Sequence, residues 1–341
     1  MKCAVFVSAG LGDALLLVPL IKTLKADGAH VTGIFTSEYG CHELFEGTSI
    51  FDEMITASDS KLQAISLSLG EFQQFERAYL NVFAATRKNM VIANSIANKV
   101  FANHLPKGLP SVLKKKVRYV EPVQGIHDAT QNIRLYNELF SDKELSIEML
   151  HVPFKPAERI SAEITTPYLA IQLSAGNNEL KYKNWNINSW KRFIEAMADH
   201  FSNFQLVLVG DANETGLANE VIKLQLPNLI STAGNTSITE IIGVLNNAVA
   251  LVGLDGGLMH LAAVMGKPTF TLWGISDPVM YGYGKLDSNL HRLVEAKGDL
   301  THSWLNQSTE DLTKDHYLDS LLPEEVFQEF CSFIDQLQPV N

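Results

Sequence analysis

The chain has 341 residues, 46% hydrophobic and 19% charged, enough for two ordinary domains with real cores and unlike a disordered chain. Its 27 Lys and Arg against 38 Asp and Glu give a net charge of −11, which speaks against duplex nucleic acid as a partner. Cys3, Cys41 and Cys331 are odd in number and far apart, so they make neither a disulfide framework nor a zinc site, and a reducing cytoplasm fits. In chain order, residues 3–8 read as a first strand and 14–26 as the helix after it. Gly10, Gly12, Asp13 and Pro19 interrupt the apolar run after Lys2, so it reads as strand, glycine loop and helix, not as a leader. No apolar segment is long and clean enough to span a bilayer.

A second strand covers 30–35. Strand and helix signals continue at 78–83, 90–93 and 117–120, and an amphipathic helix is expected over 128–140. This alternation predicts a parallel sheet with helices on both faces. Prolines 153, 156 and 167 break the pattern, which places a domain boundary there, with domains over 1–156 and 157–341. A second alternation comes next: strands at 168–173, 205–210, 229–230, 248–252 and 269–273, and helices at 189–200, 214–224 and 239–246. A last helix at 323–337 opens Pro-Glu-Glu, an acidic first turn, and is expected to pack back on the N-terminal domain. The class is α/β, with two doubly wound, Rossmann-like domains.

Charge is unevenly spread. The first 156 residues are balanced and the remainder carries the deficit. Residues 77–120 hold nine basic residues, Arg87, Lys88 and Arg118 among them, and no acid, as a site for an anionic partner or as a solvated face.

The most informative stretch is Asp255-Gly256-Gly257-Leu258-Met259-His260, running to Gly266-Lys267-Pro268. It reads as a glycine loop opening a short helix. Unpaired N–H groups and the helix dipole there favour an anion such as a diphosphate. The first loop, Gly10-Leu11-Gly12-Asp13-Ala14-Leu15, has Gly-x-Gly but Leu15 at the third glycine position, and no acid ends the second strand, so a nicotinamide enzyme fits poorly. Asp13 is either a helix cap or a general base at the carboxyl edge of the sheet.

Taken together, Gly10–Leu16, Gly234-Asn235-Thr236-Ser237-Ile238-Thr239-Glu240, Asp255–Ala262 and Trp273–Pro278 resemble glycosyltransferase family 9, the ADP-heptose:lipopolysaccharide heptosyltransferases. The resemblance implies a GT-B fold, two doubly wound domains facing a central cleft, with acceptor on the N-terminal and nucleotide sugar on the C-terminal domain. It implies inverting transfer without a bound metal and without a cofactor besides the ADP-heptose donor. Asp13 matches the catalytic aspartate. The donor diphosphate is expected on Asp255, Gly256, Gly257, Leu258 and His260, with Lys183 from Lys-x-Trp, Ser174 and Asn177. Glu214 is expected at the ribose. Gly256 stands where the family has a hydroxyl residue. Gly125-Ile126-His127 with Asn132 matches a further segment. Acceptor contacts are expected from Gly12, Lys61, Arg87, Lys88 and Arg118, which would meet an anionic glycolipid. The expected setting is cytoplasmic, peripheral on the inner membrane. Two alternatives stay open: a family member with another nucleotide sugar and acceptor, and an inactive nucleotide-sugar-binding homologue.

Overall fold

The computed structural model describes residues 1–8, 10–36, 41–56, 73–156, 161, 163–175, 183–297 and 317–337. The chain divides into two compact units, Met1–Phe154 and Lys155–Asn341. The first holds β1 (Lys2–Val7), β2 (His30–Phe35), β3 (Glu53–Thr56), β4 (Phe75–Leu80), β5 (Ala97–Ala102) and β6 (Val117–Tyr119). The second holds β7 (Tyr168–Gln172), β8 (Gln205–Val209), β9 (Leu229–Ser231), β10 (Leu251–Leu254), β11 (Thr269–Trp273) and β12 (His291–Glu295).

Each unit is one six-stranded sheet, ordered β3-β2-β1-β4-β5-β6 in the first and β12-β11-β10-β7-β8-β9 in the second. Every strand pairing is parallel. The central strands are apolar almost throughout because helices cover both faces, as in Phe6 and Val5 of β1 or Leu169 and Ile171 of β7, all 0% exposed. The strand order reverses between β1 and β4, and again between β7 and β10. Chain leaving the carboxyl ends of those strands diverges to opposite faces and opens a crevice, the usual ligand position in such sheets.

Three expectations change. The helix foreseen at 14–26 is two helices, Leu11–Leu16 and Val18–Ala26, divided at Leu17. Pro19 has no N–H to continue the ladder back to Leu15, and it sits comfortably in the first turn of the second helix. Residues 90–93 lie inside helix Arg87–Ile96, whose Thr86 cap accepts from the Asn89 N–H at 3.2 Å. The helix expected over 128–140 ends at Arg134 and continues as turns. The last helix, Pro323–Leu337, buries Val326, Phe330, Phe333 and Ile334 in the core of the second unit. Cys3 and Cys41 are buried and Cys331 is half-buried, all three as free thiols. Among the described residues no helix is long and apolar enough to cross a membrane.

Candidate active site

In the second unit the crevice is built by the chain leaving β10 and β7. Helix Gly257–Val264 starts directly after β10, with Gly256 extended at its N-cap. The first bond of that helix runs from the His260 N–H to the Gly256 carbonyl at 3.3 Å, so the N–H groups of Gly257, Leu258 and Met259 have no acceptor within the helix. Gly257 and Leu258 are half-buried, at the mouth of the crevice.

Asp255 precedes this turn and is 5% exposed. Its Oδ2 accepts from Lys183 Nζ at 2.6 Å. Burial pushes the Asp255 carboxyl up, but the Lys183 charge, with help from His260 and a hydrogen bond from Ser276, outweighs it and holds the group below the usual aspartate range. His260 Nε2 stands 3.9 Å from Asp255 Oδ1. The two are not an ion pair at neutral pH: burial above all, and the nearby Lys183, push the imidazole down to about 4, against the pull of Asp255. Among the described residues the site thus offers a cation, Lys183, steadied by a carboxylate, and a neutral histidine, beside a helix start that favours negative charge.

Gly256 is held by its surroundings. A Cβ there would lie 3.1 Å from the Ala175 Cα and 3.3 Å from the Ala175 carbonyl oxygen. The chain leaving β7 passes close to Gly256, so a side chain there needs that backbone to give by a few tenths of an ångström.

Ser174 and Glu214 differ from expectation. Ser174 is 0% and Glu214 1% exposed. The Glu214 carboxylate accepts from the Ser174 N–H at 2.9 Å and the Asp211 N–H at 3.2 Å, and from the Ser174 side chain. Burial pushes its carboxyl up to about 7. The pair ties the carboxyl ends of β7 and β8 together. Asp211 shares a capping box with Glu214.

In the first unit, Gly12 and Asp13 lie in helix Leu11–Leu16 at the carboxyl end of β1, beside the reversal point. Asp13 stands in its first turn. Its charge reaches Asp128, which opens helix Asp128–Arg134 and is 1% exposed. Burial, then the Asp13 charge, push the Asp128 carboxyl up to about 7 against a hydrogen bond from Asn132. Asn132 Nδ2 reaches both Asp128 Oδ2 and the Leu16 carbonyl at 3.0 Å, clamping this helix to the one that bears Asp13. Asp128 reads in sequence as an ordinary first-turn acid. Only its burial reveals a second carboxyl near Asp13.

The expected acceptor residues do not gather at one point. Arg87 and Lys88 begin the helix after β4, the neighbour of β1, but Arg87 Nε donates to the Lys107 carbonyl at 2.6 Å and its guanidinium fills the space over Gly108. Arg118 lies on edge strand β6, paired with Glu138. Lys61 and Asn177 lie outside the described residues. Among the described residues, no group of three His, Cys, Asp or Glu is placed to hold a metal ion.

Tyr283 and Ser276 escaped the sequence reading. Tyr283 is 1% exposed, with its hydroxyl 2.9 Å from His260 Nδ1. Ser276 is 5% exposed and bonds Asp255. Ser276 lies within the Trp273–Pro278 segment that carries the resemblance but has no motif of its own, and a tyrosine between two glycines carries no signal.

Two all-parallel, doubly wound sheets, each with its polar residues at the reversal point, define the GT-B class of glycosyltransferase folds. The chain belongs to glycosyltransferase family 9 (heptosyltransferase), whose sequence profile matches residues 73–299. It is 23% identical to lipopolysaccharide heptosyltransferase 3 of Escherichia coli over 176 residues, 49% of this chain and 50% of that one. It is 27% identical to lipooligosaccharide heptosyltransferase 2 of Haemophilus influenzae over 150 residues, 41% of this chain and 42% of that one. The chain spans about half the length of the curated relatives it matches. Among solved structures it is similar to E. coli ADP-heptose lps heptosyltransferase II, with TM-score 0.71 and 18% identity over 98% of this chain and 99% of that one. It also resembles E. coli heptosyltransferase WaaC with ADP, with TM-score 0.68 and 14% identity over the full length of both.

Proposed function

We propose that the chain is an inverting glycosyltransferase that moves heptose from ADP-heptose to a lipopolysaccharide inner-core acceptor of the Kdo-lipid A type. The observation that carries this reading is Lys183 held on Asp255 at 2.6 Å beside the open N-terminus of helix Gly257–Val264. A diphosphate placed there meets the ammonium and the N–H groups of Gly257 and Leu258, which have no acceptor within the helix, while Asp255 fixes the lysine in position. In the reaction the acceptor oxygen bonds to the anomeric carbon and the bond from that carbon to the diphosphate breaks. The acceptor proton passes to the Asp13 carboxylate, and ADP departs. Charge on the leaving group is met by Lys183 and the helix start, so the protein itself supplies the stabilisation in this metal-independent reading. The donor is a substrate, and no further cofactor is needed.

Helix Ser111–Lys114 buries none of its residues, leaves Val112 68% exposed, and leads into Lys115 and Lys116. Tyr119, 48% exposed, lies just beyond. Basic and apolar groups mixed in this way suit peripheral contact with an anionic cytoplasmic membrane face that displays the glycolipid. Solved relatives with ADP and with an ADP-heptose analogue support the choice of donor.

The test is transfer from ADP-heptose to Kdo-lipid A in vesicles, with calorimetry against ADP, UDP and GDP. ADP is expected to bind selectively. Asp13→Asn is expected to lower kcat by about 10²–10⁴ with ADP affinity unchanged. Selective UDP or GDP binding would remove the heptose assignment, and equal rates in anionic and neutral vesicles would remove the membrane contact.

A further inference from the structure

The segment Gly282-Tyr283-Gly284 is the least expected feature of the second unit. A Cβ on Gly282 would stand 2.5 Å from the Pro278 carbonyl oxygen and 2.6 Å from Leu293 Cδ2. One on Gly284 would collide with Leu293 Cδ1. Both glycines are therefore pressed against the same leucine of β12, and the tyrosine between them is turned inward. The His291 ring from β12 packs on Tyr283 at 5.6 Å between centroids, and His291 Nδ1 is fixed 2.9 Å from Thr269 Oγ1. On its other side Tyr283 meets the His260 ring edge-on at 5.6 Å, with its hydroxyl 2.9 Å from Nδ1.

A hydroxyl at that distance either donates to Nδ1 or accepts from it, and the other end of the ring decides which. His260 Nε2 faces Asp255 Oδ1 at 3.9 Å. A lone pair on Nε2 would be repelled by the carboxylate, whereas an N–H there is attracted. The stable arrangement has the Tyr283 hydroxyl donating to Nδ1 and the proton on Nε2.

We propose that Tyr283 is a positioning residue that fixes the tautomer of His260, so that the imidazole presents its Nε2–H beside Lys183 to the oxygens of the donor diphosphate. This rests on the diphosphate reading of the site. It explains how a histidine too buried to carry charge at neutral pH still donates to an anion: the proton is placed by the partner on the far nitrogen, as in the supporting layer around metal-bound histidines.

The experiment is long-range ¹H–¹⁵N NMR of histidine-labelled protein between pH 6 and 8, with His260→Gln to identify the signals. Wild type is expected to show the Nε2–H pattern for His260, and Tyr283→Phe, which keeps the ring and its packing, a mixture of tautomers. In calorimetry, Tyr283→Phe is expected to weaken ADP by about threefold to tenfold, and to change nothing further in a His260→Gln background. An Nδ1–H pattern in wild type, or an unchanged pattern in Tyr283→Phe, overturns the proposal. So does an equal loss of affinity with and without His260. Wild type that fails to bind ADP sinks the diphosphate reading, while the tautomer measurement still decides the role of Tyr283.

Discussion

Asp128 is a carboxyl that folding prefers to keep protonated. Its value in the folded chain, about 7, lies above that of an unfolded aspartate. The folded state therefore binds the extra proton. Its contribution is fully present below about pH 4 and is lost as pH rises toward 7. Asp128→Asn removes that dependence. Urea unfolding at pH 5 and pH 8 is expected to show wild type losing on the order of a few kcal/mol between the two, and the variant losing clearly less. Lys183 behaves in the opposite sense. It is the main favourable charge on Asp255, whose side chain is 7% exposed. Lys183→Met strands that carboxylate at a cost of about 3 kcal/mol, read as a fall in Tm of roughly 10 °C. Adding Asp255→Asn is expected to recover much of the loss, an outcome that a purely steric effect of the methionine would not give.

At the scale of elements, the ends of β7 and β10 approach so closely that a Cβ on Gly256 would stand 3.1 Å from the Ala175 Cα, a contact the backbone must shift to admit. Gly256→Ser is expected to destabilise by about 1–3 kcal/mol, because the atoms in the way are backbone and cannot swing aside. A denaturant midpoint equal to wild type would contradict this packing. The central strands were legible in sequence because they are buried on both faces and read as unbroken apolar runs, as at Tyr168–Gln172. Strands β3 and β12 were not: they are short or half-exposed edges, and Glu53 or Glu295 hides the pattern. Strand β5 was missed because Ala97 ends helix Arg87–Ile96 and starts the strand without a turn residue between them. In the site, Asp255 and His260 announced themselves through local spacing. The Glu214–Ser174 tie and the Tyr283 contact join residues 40 and 23 positions apart, and no local pattern encodes such a pairing.

For the whole molecule, each unit owns a separate apolar core, centred on β1, β4 and β5 in one and on β7, β8 and β10 in the other. Two cores allow two melting steps, so scanning calorimetry is expected to resolve two transitions. ADP at a hundredfold excess over its Kd adds about 2.7 kcal/mol to whichever unit binds it. Only the transition of the second unit is expected to move. A shift of the other alone would relocate the nucleotide.

The reversal point of the second sheet also has a consequence for synthesis. Its two middle strands meet at Leu251 and Ala170, so the crevice joins segments made far apart in time. At elongation rates on the order of 10 residues per second, several seconds pass between the emergence of β7 and that of β10. Once β8 has been made, and until β10 follows, β7 has β8 on one side and an open row of backbone N–H and C=O groups on the other. The nascent chain therefore carries a sticky edge at the very place where the crevice of the second sheet will form, and a chaperone that shields β7 during translation would act at the candidate site.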